Sequence, residues 1–346
     1  MGKLKFISFI VLAILSSGCI NDIVKPLTVN QNLEDFEVAW NQVNVTYPFL
    51  EYKKIDWDSI YTEYYSRAEA AQGDEFYGVL GDLLAELKDG HVHFQTEGGT
   101  IIYPYVPPRS LKDRKTFSLL VVLKYFDSDL LITGNKLFEY GILPGNIGYC
   151  YLPKFDQNKN FSSDYSVVID YIKTTKGLII DLRNNPGGNQ LYVQALMADL
   201  VSEQMSFPVQ FRLGVQESTL IIQPSKGHHY NNPLVVLING ASASAAELAP
   251  EILKQLPNVT AIGDTTSGSL GFLTDRKDSS NSYCQLPSGN LIVTPTGYTL
   301  DYDGRQIEWN GVAPDIYVEQ TEKDIENGVD KQLEYAISYL EKNNSN

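Results

Sequence analysis

Apolar residues recur at three- and four-residue steps from about residue 31 to residue 90. Spacing of this kind places one apolar stripe along each helix. The recurring positions are Leu33, Phe36, Trp40 and Val43, then Trp57, Ile60, Tyr61, Tyr64 and Tyr65, then Phe76, Val79, Leu80, Leu83, Leu84 and Leu87. The pattern predicts a small helical N-terminal domain over residues 31–94.

Residues 95–142 have a different texture, with glycine and proline pairs, a charged stretch and two short apolar runs. The runs FSLLVVLKY (117–125) and LLITG (130–134) contain β-branched residues, which favour strands. We therefore predict a β-rich bridge over residues 95–142.

From residue 143 onward, short continuous apolar runs alternate with amphipathic segments. The runs lie in NIGYCYLP, KGLIIDL, PLVVLING, VTAIGD and NLIVTPTG, and helices are predicted at 163–173, 189–202, 245–256 and 324–342. Apolar strands separated by helices are typical of a sheet that helices cover. The fold class predicted for residues 143–320 is α/β, followed by a C-terminal helix within 321–346.

The first eighteen residues have the layout of a secretory signal peptide, with Lys3 and Lys5, an apolar run, and small residues before Cys19. The stretch LSSGC is similar to a bacterial lipobox. We expect a lipidated Cys19 on a tether of residues 19–30, anchored in the cell envelope. Ile20 favours the outer membrane of a Gram-negative bacterium. The alternatives are an ordinary signal peptide or a membrane-spanning helix, for which the apolar run is short.

The charge balance is strongly acidic. The chain of 346 residues has a net charge of −15, and removing residues 1–18 leaves 25 basic against 42 acidic residues, a net charge of −17. This balance argues against binding of nucleic acid or anionic lipid through a basic face.

The stretch GASASAAELAP (240–250) holds two serines between a predicted strand and a predicted helix. Ser244 has Glu247 three residues later, which is the spacing of a helix capping box. The same position also suits a nucleophile, because a serine on a sharp strand-to-helix turn faces outward. The N–H of Ala245 would then face the oxyanion formed on the substrate. Ser242 lacks both features.

The stretch GLIIDLRNNPGGN (177–189) is a buried strand that ends in a glycine pair. It is either a plain turn or a backbone approach to a ligand, because glycine permits unusual dihedral angles. In the second case the N–H of Gly187 or Gly188 is the other oxyanion donor. We interpret Asp181 and Arg183 as a structural ion pair.

A serine nucleophile needs a base at neutral pH. His228 and His229 stand in a polar loop, so we interpret them as solvated. His91 and His93 alternate in DGHVHF and could form a metal pair, but no third ligand is evident. His91 is the better general base.

Cys150 and Cys284 are either a disulfide pair or two buried thiols.

Six stretches together resemble the C-terminal-processing, or tail-specific, serine protease family, whose core is shared with tricorn-like and retinoid-binding proteins. They appear in the family's order across roughly residues 76–320, as LLAELKDGHVHF, GNIGYCYLPKF, GLIIDLRNNPGGN, VVLINGASASAAELAPEI, AIGDTTSG and NGVAPDIYV. The resemblance implies a crotonase- and ClpP-like spiral α/β core. It also implies that Ser244, three residues before Glu247, is the nucleophile.

Two departures from the family pattern bear on mechanism. Ser269 stands where tail-specific members carry a lysine base, and a hydroxyl cannot replace an amine in that role. The tricorn-like branch instead uses a histidine and a glutamate, which the resemblance places at His91 and Glu308. That branch has a serine directly before the histidine, where this chain has Gly90.

The resemblance therefore implies a serine peptidase of the cell envelope that acts on peptide or protein substrates. Ser244 would form the acyl-enzyme, His91 would be the base, and Glu308 would orient or stabilise the imidazolium. No metal or organic cofactor is needed. The 95–142 bridge is too short for a PDZ domain. The alternatives are a non-catalytic ligand- or peptide-binding protein on the same fold, and an esterase.

Overall fold

The computed structural model describes residues 30–155, 160–217, 220–227, 229–275 and 281–343. Cys19 and His228, which the sequence singled out, lie outside these ranges. The α-helices are α1 (Gln31–Thr46), α2 (Tyr61–Ala70), α3 (Glu75–Ala85), α4 (Pro108–Asp113), α5 (Leu119–Val122), α6 (Phe161–Ile172), α7 (Gln190–Met197), α8 (Ala245–Leu253), α9 (Glu322–Glu326) and α10 (Lys331–Asn343). Short 3-10 helices cover Asp58–Ile60 and Leu123–Tyr125.

The strands of the described chain form one large sheet and several small ones. They are β1 (His93–Gln95), β2 (Ile101–Ile102), β3 (Leu131–Ile132), β4 (Glu139–Leu143), β5 (Ile147–Tyr151), β6 (Gly177–Asp181), β7 (Met205–Ser206), β8 (Gln210–Arg212), β9 (Val215–Gln216), β10 (Ile221–Ile222), β11 (Leu234–Ile238), β12 (Val259–Gly263), β13 (Gly271–Phe272), β14 (Tyr283–Gln285), β15 (Leu291–Val293), β16 (Gly297–Thr299) and β17 (Ile316–Tyr317). The large sheet has the order β17-β12-β11-β6-β5-β4-β3.

The central strands of the large sheet are buried on both faces, as their continuous apolar runs predict. Strands β5, β6, β11, β12 and β17 pair in parallel, and β4 and β3 add an antiparallel edge. In β6, Leu178 and Ile180 point into a core shared with α6, α7 and α8, whereas Ile179 points into a core shared with α10. Successive residues of a strand face opposite sides, so both sides must be apolar here.

The bounds predicted for the α/β core do not coincide with the edges of this sheet. The sheet begins upstream of residue 143, because β3 and β4 belong to it. The C-terminal helix α10 packs directly on the sheet through Leu333, Ala336 and Leu340. The β3–β5 strands and α10 are therefore one packed unit with the core.

The N-terminal helices form a core of their own, which the predicted helical domain anticipates. Helices α1, α2 and α3 pack around Phe36, Trp40 and Leu83. The same cluster includes Ile292 of β15, because β1 pairs antiparallel with β15. The segment that follows the helices is therefore joined to the later part of the chain by backbone hydrogen bonds.

The strand predicted for residues 117–125 is wrong. The segment forms the helix α5 and a 3-10 turn after Ser118. Val121 and Val122 are buried next to each other, while Leu120 is 75% exposed, which is not the alternation of a strand. Packing beneath the large sheet has overridden the β preference of the two valines. The other predicted strand of the bridge is observed as β3.

Asp181 and Arg183 form the structural ion pair that the sequence predicts. The buried guanidinium of Arg183 donates to Asp181 at 2.6 Å and to Asp330 at 2.7 Å. Asp330 in turn accepts the N–H of Leu333 at the start of α10. The pair therefore fixes the terminal helix to the end of β6.

Cys150 and Cys284 are both free thiols, so the disulfide alternative is wrong. Cys150 is buried in β5 and Cys284 lies in β14, in a different sheet. Within the described ranges, no helix is both long enough and apolar enough to span a membrane.

Candidate active site

A pocket of 740 Å³ lies beyond the carboxyl ends of β6 and β11. His91, Gly188, Ser244 and Ala245 all line it, together with aromatic residues from other segments. The carboxyl edge of an open α/β sheet is where ligands bind in such folds. Four residues predicted for the site thus meet in one cavity, although the sequence separates them widely.

Ser244 stands on a strained turn between β11 and α8. Its backbone has φ 57° and ψ −123°, a conformation that residues other than glycine rarely adopt. The turn lifts the residue out of the buried strand, and Ser244 is half-buried at the pocket wall. Strain of this kind is held in place only where neighbouring contacts determine it.

Those neighbouring contacts come from Glu247 and the loop 266–269. The Ser244 N–H donates to the Ser269 carbonyl at 3.0 Å and to Glu247 Oε1 at 3.2 Å. The buried Glu247 carboxylate also accepts from Thr266 Oγ1 and from the N–H groups of Gly268 and Ser269. The glutamate of the predicted capping box therefore binds a second loop as well as its own helix.

Ser242 is fully buried and committed to structural contacts. Its Oγ donates to the Leu182 carbonyl at 2.8 Å and accepts the Asn239 N–H at 3.1 Å. This hydroxyl holds the strand end and does not face the pocket. Of the two serines, only Ser244 is accessible to a substrate.

The backbone N–H groups near Ser244 differ in their availability. The Gly187 N–H donates to Asn185 Oδ1 at 2.8 Å, so it already has an acceptor. Within the described chain, the N–H groups of Gly188 and Ala245 have no hydrogen-bond acceptor, and both residues line the pocket. Of the two glycines left open by the sequence, the geometry favours Gly188.

His91 enters the pocket from a turn that follows α3. Its N–H donates to Asp89 Oδ1 at 2.8 Å, and its carbonyl accepts from His93 Nδ1 at 2.8 Å. The backbone of His91 is therefore held on both sides. Burial lowers the pKa of His91; His93 and Lys53 lower it further, and Asp89 raises it in part. The imidazole is thus kept neutral, which is the form of a general base.

Asp89 and Lys53 are two buried charged residues beside this turn, and the sequence did not single them out for the site. Both side chains are fully buried, and Lys53 Nζ lies 3.3 Å from Asp89 Oδ2. Burial raises the pKa of Asp89, but Lys53, His91 and Tyr47 together keep it below its ordinary value. Nothing in the pattern around Lys53 distinguishes it from the exposed Lys54.

Glu308 contacts Lys53 and the loop after Ser269. Its Oε1 lies 2.7 Å from Lys53 Nζ, and its Oε2 accepts the Leu270 N–H at 3.0 Å. Among the described residues, no hydrogen bond joins Glu308 to His91, and Glu308 does not line the pocket. Burial and Asp89 raise the pKa of Glu308 to about 8, although Lys53 opposes the shift.

Comparison with known proteins decides the family. Residues 146–318 match the model described as Peptidase family S41, and residues 29–85 match the Tricorn protease C1 domain. The first match covers half of the chain. The chain belongs to peptidase family S41.

Individual S41 relatives cover different parts of the chain. A carboxy-terminal processing protease, CtpA, of Bacillus subtilis is 30% identical over 179 residues, which are 50% of this chain and 35% of that protein. A carboxy-terminal-processing protease of Bartonella bacilliformis is 32% identical over 54% of this chain and 41% of its own. The chain thus spans well under half the length of these relatives.

Solved structures of other proteins share the fold of this chain over about nine tenths of its length. A Parabacteroides merdae protein assigned as a peptidase matches with a TM-score of 0.76 and 26% identity, covering 89% of this chain and 96% of that one. The tricorn protease structure has a TM-score of 0.61 at 15% identity, with coverage of 91% and 37%. The fold is thus the mixed α/β fold of S41 peptidases, with a helical N-terminal region.

Ser269 and Gly90, the two departures from the S41-like pattern, lie against each other. A Cβ added to Gly90 would be 2.7 Å from Ser269 Oγ. Ser269 Oγ is also 3.1 Å from Ser267 Oγ. A side chain at residue 90 and the present side chain at residue 269 would compete for the same volume.

The metal pair considered for His91 and His93 gains no third ligand. Within the part of the chain that the structure describes, no group of three histidine, cysteine or acidic residues is arranged to hold a metal ion. His93 instead contacts the Tyr103 ring, with ring centroids 4.8 Å apart.

Proposed function

We propose that this S41 member is a serine peptidase that hydrolyses peptide bonds through an acyl-enzyme on Ser244. The observation that carries the proposal is the strained Ser244 in one pocket with a neutral His91 and two unpaired backbone N–H groups. Family membership supports the same reaction class.

In this mechanism, Ser244 Oγ attacks the substrate carbonyl and His91 accepts its proton. The carbonyl oxygen becomes an oxyanion, which the N–H groups of Gly188 and Ala245 would bind. His91 then returns the proton to the leaving amine, and water releases the acyl group by the same route in reverse. The free N–H groups fit this role because they need no rearrangement to donate.

Glu308 acts indirectly in this proposal. Because it bonds to the Leu270 N–H, it fixes the loop whose Ser269 carbonyl accepts the Ser244 N–H. On the histidine side, Asp89 is the carboxylate that makes contact, because it accepts the backbone N–H of His91. The resemblance implied that Glu308 orients or stabilises the imidazolium, directly or through water; the contacts of Glu308 support a role on the serine side.

The test is a reaction with a fluorophosphonate, followed by intact-mass analysis of the full chain. We expect one adduct on the wild type and on Ser242→Ala, and none on Ser244→Ala or His91→Ala. Ser242→Ala is the matched control, because it removes a hydroxyl two residues away. No adduct on a folded wild type would instead favour the non-catalytic binding protein. Hydrolysis of acyl esters but of no peptide would favour the esterase.

The cell-envelope location is a separate proposal, which rests on the pattern around Cys19. We expect a lipidated Cys19 and recovery of the chain with the membrane fraction. Cys19→Ser should release the protein, while Cys284→Ser should leave it membrane-bound. If the wild type, Cys19→Ser and Cys284→Ser all appear in the same fraction, a lipid anchor on Cys19 is contradicted.

A further inference from the structure

Lys53 lies at the centre of a buried charge cluster in the loop after α1. Its ammonium group lies 2.7 Å from Glu308 Oε1 and 3.3 Å from Asp89 Oδ2, and all three side chains are at most 2% exposed. It also donates to Tyr47 Oη at 2.8 Å and to the Leu87 carbonyl at 3.1 Å. Asp89 raises the pKa of Glu308, and the ammonium of Lys53, which contacts both side chains, opposes that shift.

The two carboxylates lead to opposite sides of the candidate site. Asp89 holds the N–H of His91, the proposed base. Glu308 holds the N–H of Leu270, and the preceding Ser269 carbonyl holds the N–H of Ser244. Lys53 is therefore the group at which the histidine side and the serine side of the site meet.

The surroundings of Lys53 leave its ammonium little freedom. The rings of Tyr47, Phe49 and Trp309 lie 5.2–5.5 Å from Nζ. Tyr47 Oη, which accepts from Lys53, donates in turn to Asp89 Oδ2 at 2.8 Å. A cation fixed by carboxylates, carbonyls and ring faces is suited to set the distance between two loops.

We propose that Lys53 is a positioning residue of the active site, whose ammonium group holds the His91 turn and the loop behind Ser244 in register. The proposal rests on the peptidase function proposed above. It assigns to the helical N-terminal region a part in the reaction, beyond its role in packing.

The test compares Lys53→Met and Lys53→Arg with the wild type, using the full chain. Lys54→Met is the matched control, because it removes the same charge at the adjacent, exposed position. We expect kcat of folded Lys53→Met to fall about 100-fold, as for a displaced catalytic group, with KM changed by less than about threefold. Lys53→Arg should recover part of kcat, and Lys54→Met should match the wild type.

The pH profile separates positioning from a purely structural role. The charged groups that face His91 are Asp89, His93 and Lys53, and Lys53 lowers its pKa. Removing the ammonium should therefore move the acid limb of kcat/KM to higher pH, and arginine should keep it in place. If Lys53→Met does not fold, Asp89→Asn tests the same bridge, since it removes the charge of Asp89 and leaves the contact between Lys53 and Glu308 in place. It should lower kcat and move the limb to lower pH.

Hydrogen exchange tests the proposal independently of activity. The amides of His91 and Leu270 should exchange at least about tenfold faster in Lys53→Met or Asp89→Asn than in the wild type. A folded Lys53→Met with the kcat, acid limb and exchange of Lys54→Met would overturn the proposal. A wild type that does not react with fluorophosphonate would refute the peptidase, while the exchange rates would still decide the role of Lys53.

Discussion

The backbone of Gly187 lies directly against Ser244. A Cβ added to Gly187 would be 2.5 Å from Ser244 Cβ, 2.6 Å from the Ala243 carbonyl oxygen and 2.8 Å from the Ala245 nitrogen. These distances are far below van der Waals contact, so a larger residue fits only if the turn shifts. A glycine at residue 187 is therefore required by the turn that carries the serine, whereas oxyanion binding is assigned to the N–H of Gly188.

Gly187→Ala should slow the reaction with fluorophosphonate about 100-fold while the chain still folds. The added methyl group displaces the turn, and a shift of about 1 Å costs about 100-fold in rate. The control is Gly304→Ala, which also has a positive φ (81°) but has no atom within 4 Å of the new methyl group. Both variants should lose some stability, and only the first should lose reactivity. Equal reactivity would show that the turn adapts.

Ser244→Gly should be more stable than Ser244→Ala by about 1–2 kcal/mol, measured by urea unfolding. The backbone at residue 244 (φ 57°, ψ −123°) is costly for any side chain and ordinary for glycine. Ser166, exposed in α6, is the control, and there glycine should be the less stable replacement by about 1 kcal/mol. The same order at both positions would mean that the turn stores no strain.

The acid limb of kcat/KM should lie below pH 6.5, the ordinary pKa of histidine. Burial is the largest cause that lowers the pKa of His91, and it favours the neutral ring. Activity is therefore retained as the pH falls to 6.5 and is lost only below it. Circular dichroism at the same pH values separates this loss from acid unfolding. A limb at or above pH 6.5 would contradict the assignment of His91 as a buried base.

Raising the pH from 5 to 8 should destabilise the wild type more than Glu308→Gln. The folded pKa of Glu308 is about 8, against an ordinary value of 4.5, so the folded state binds more protons across this window. The contribution of Glu308 to the free energy of unfolding is thus fully present below about pH 4.5, and it is lost as the pH rises through 8. Urea midpoints at both pH values measure the difference, and Glu326→Gln, at an exposed position, is the control. An equal change in urea midpoint between pH 5 and pH 8 for the wild type and Glu308→Gln would contradict this prediction.

Patterns with a fixed period predicted most of the fold. The helices before residue 90 and the strands β5, β6, β11 and β12 follow from apolar spacing alone, because each element buries a continuous surface. The strand prediction for residues 117–125 was wrong because a run of valines and leucines has no period that distinguishes a buried helix from a strand. The choice between them was made by packing against the sheet.

The pocket was predicted in part. Ser244, His91 and Ala245 stand at turns that the pattern marks, and the structure brings them to one cavity. Lys53 and Asp89 could not be found in this way. A buried charge is defined by the partners around it, and Lys53 reaches Glu308 only when distant parts of the chain have folded together.

The pairing of β1 with β15 also determines when the site can form. The strand after His91 can pair with β2 early, but its pairing with β15 waits until residues 291–293 have been synthesised, and Glu308 follows later still. A growing chain that already contains Ser244 therefore lacks both the pairing that seats the histidine and the glutamate behind the serine. The proposed site is therefore complete only after residues 291–308 have left the ribosome, so Ser244 would gain its reactivity well after its own synthesis.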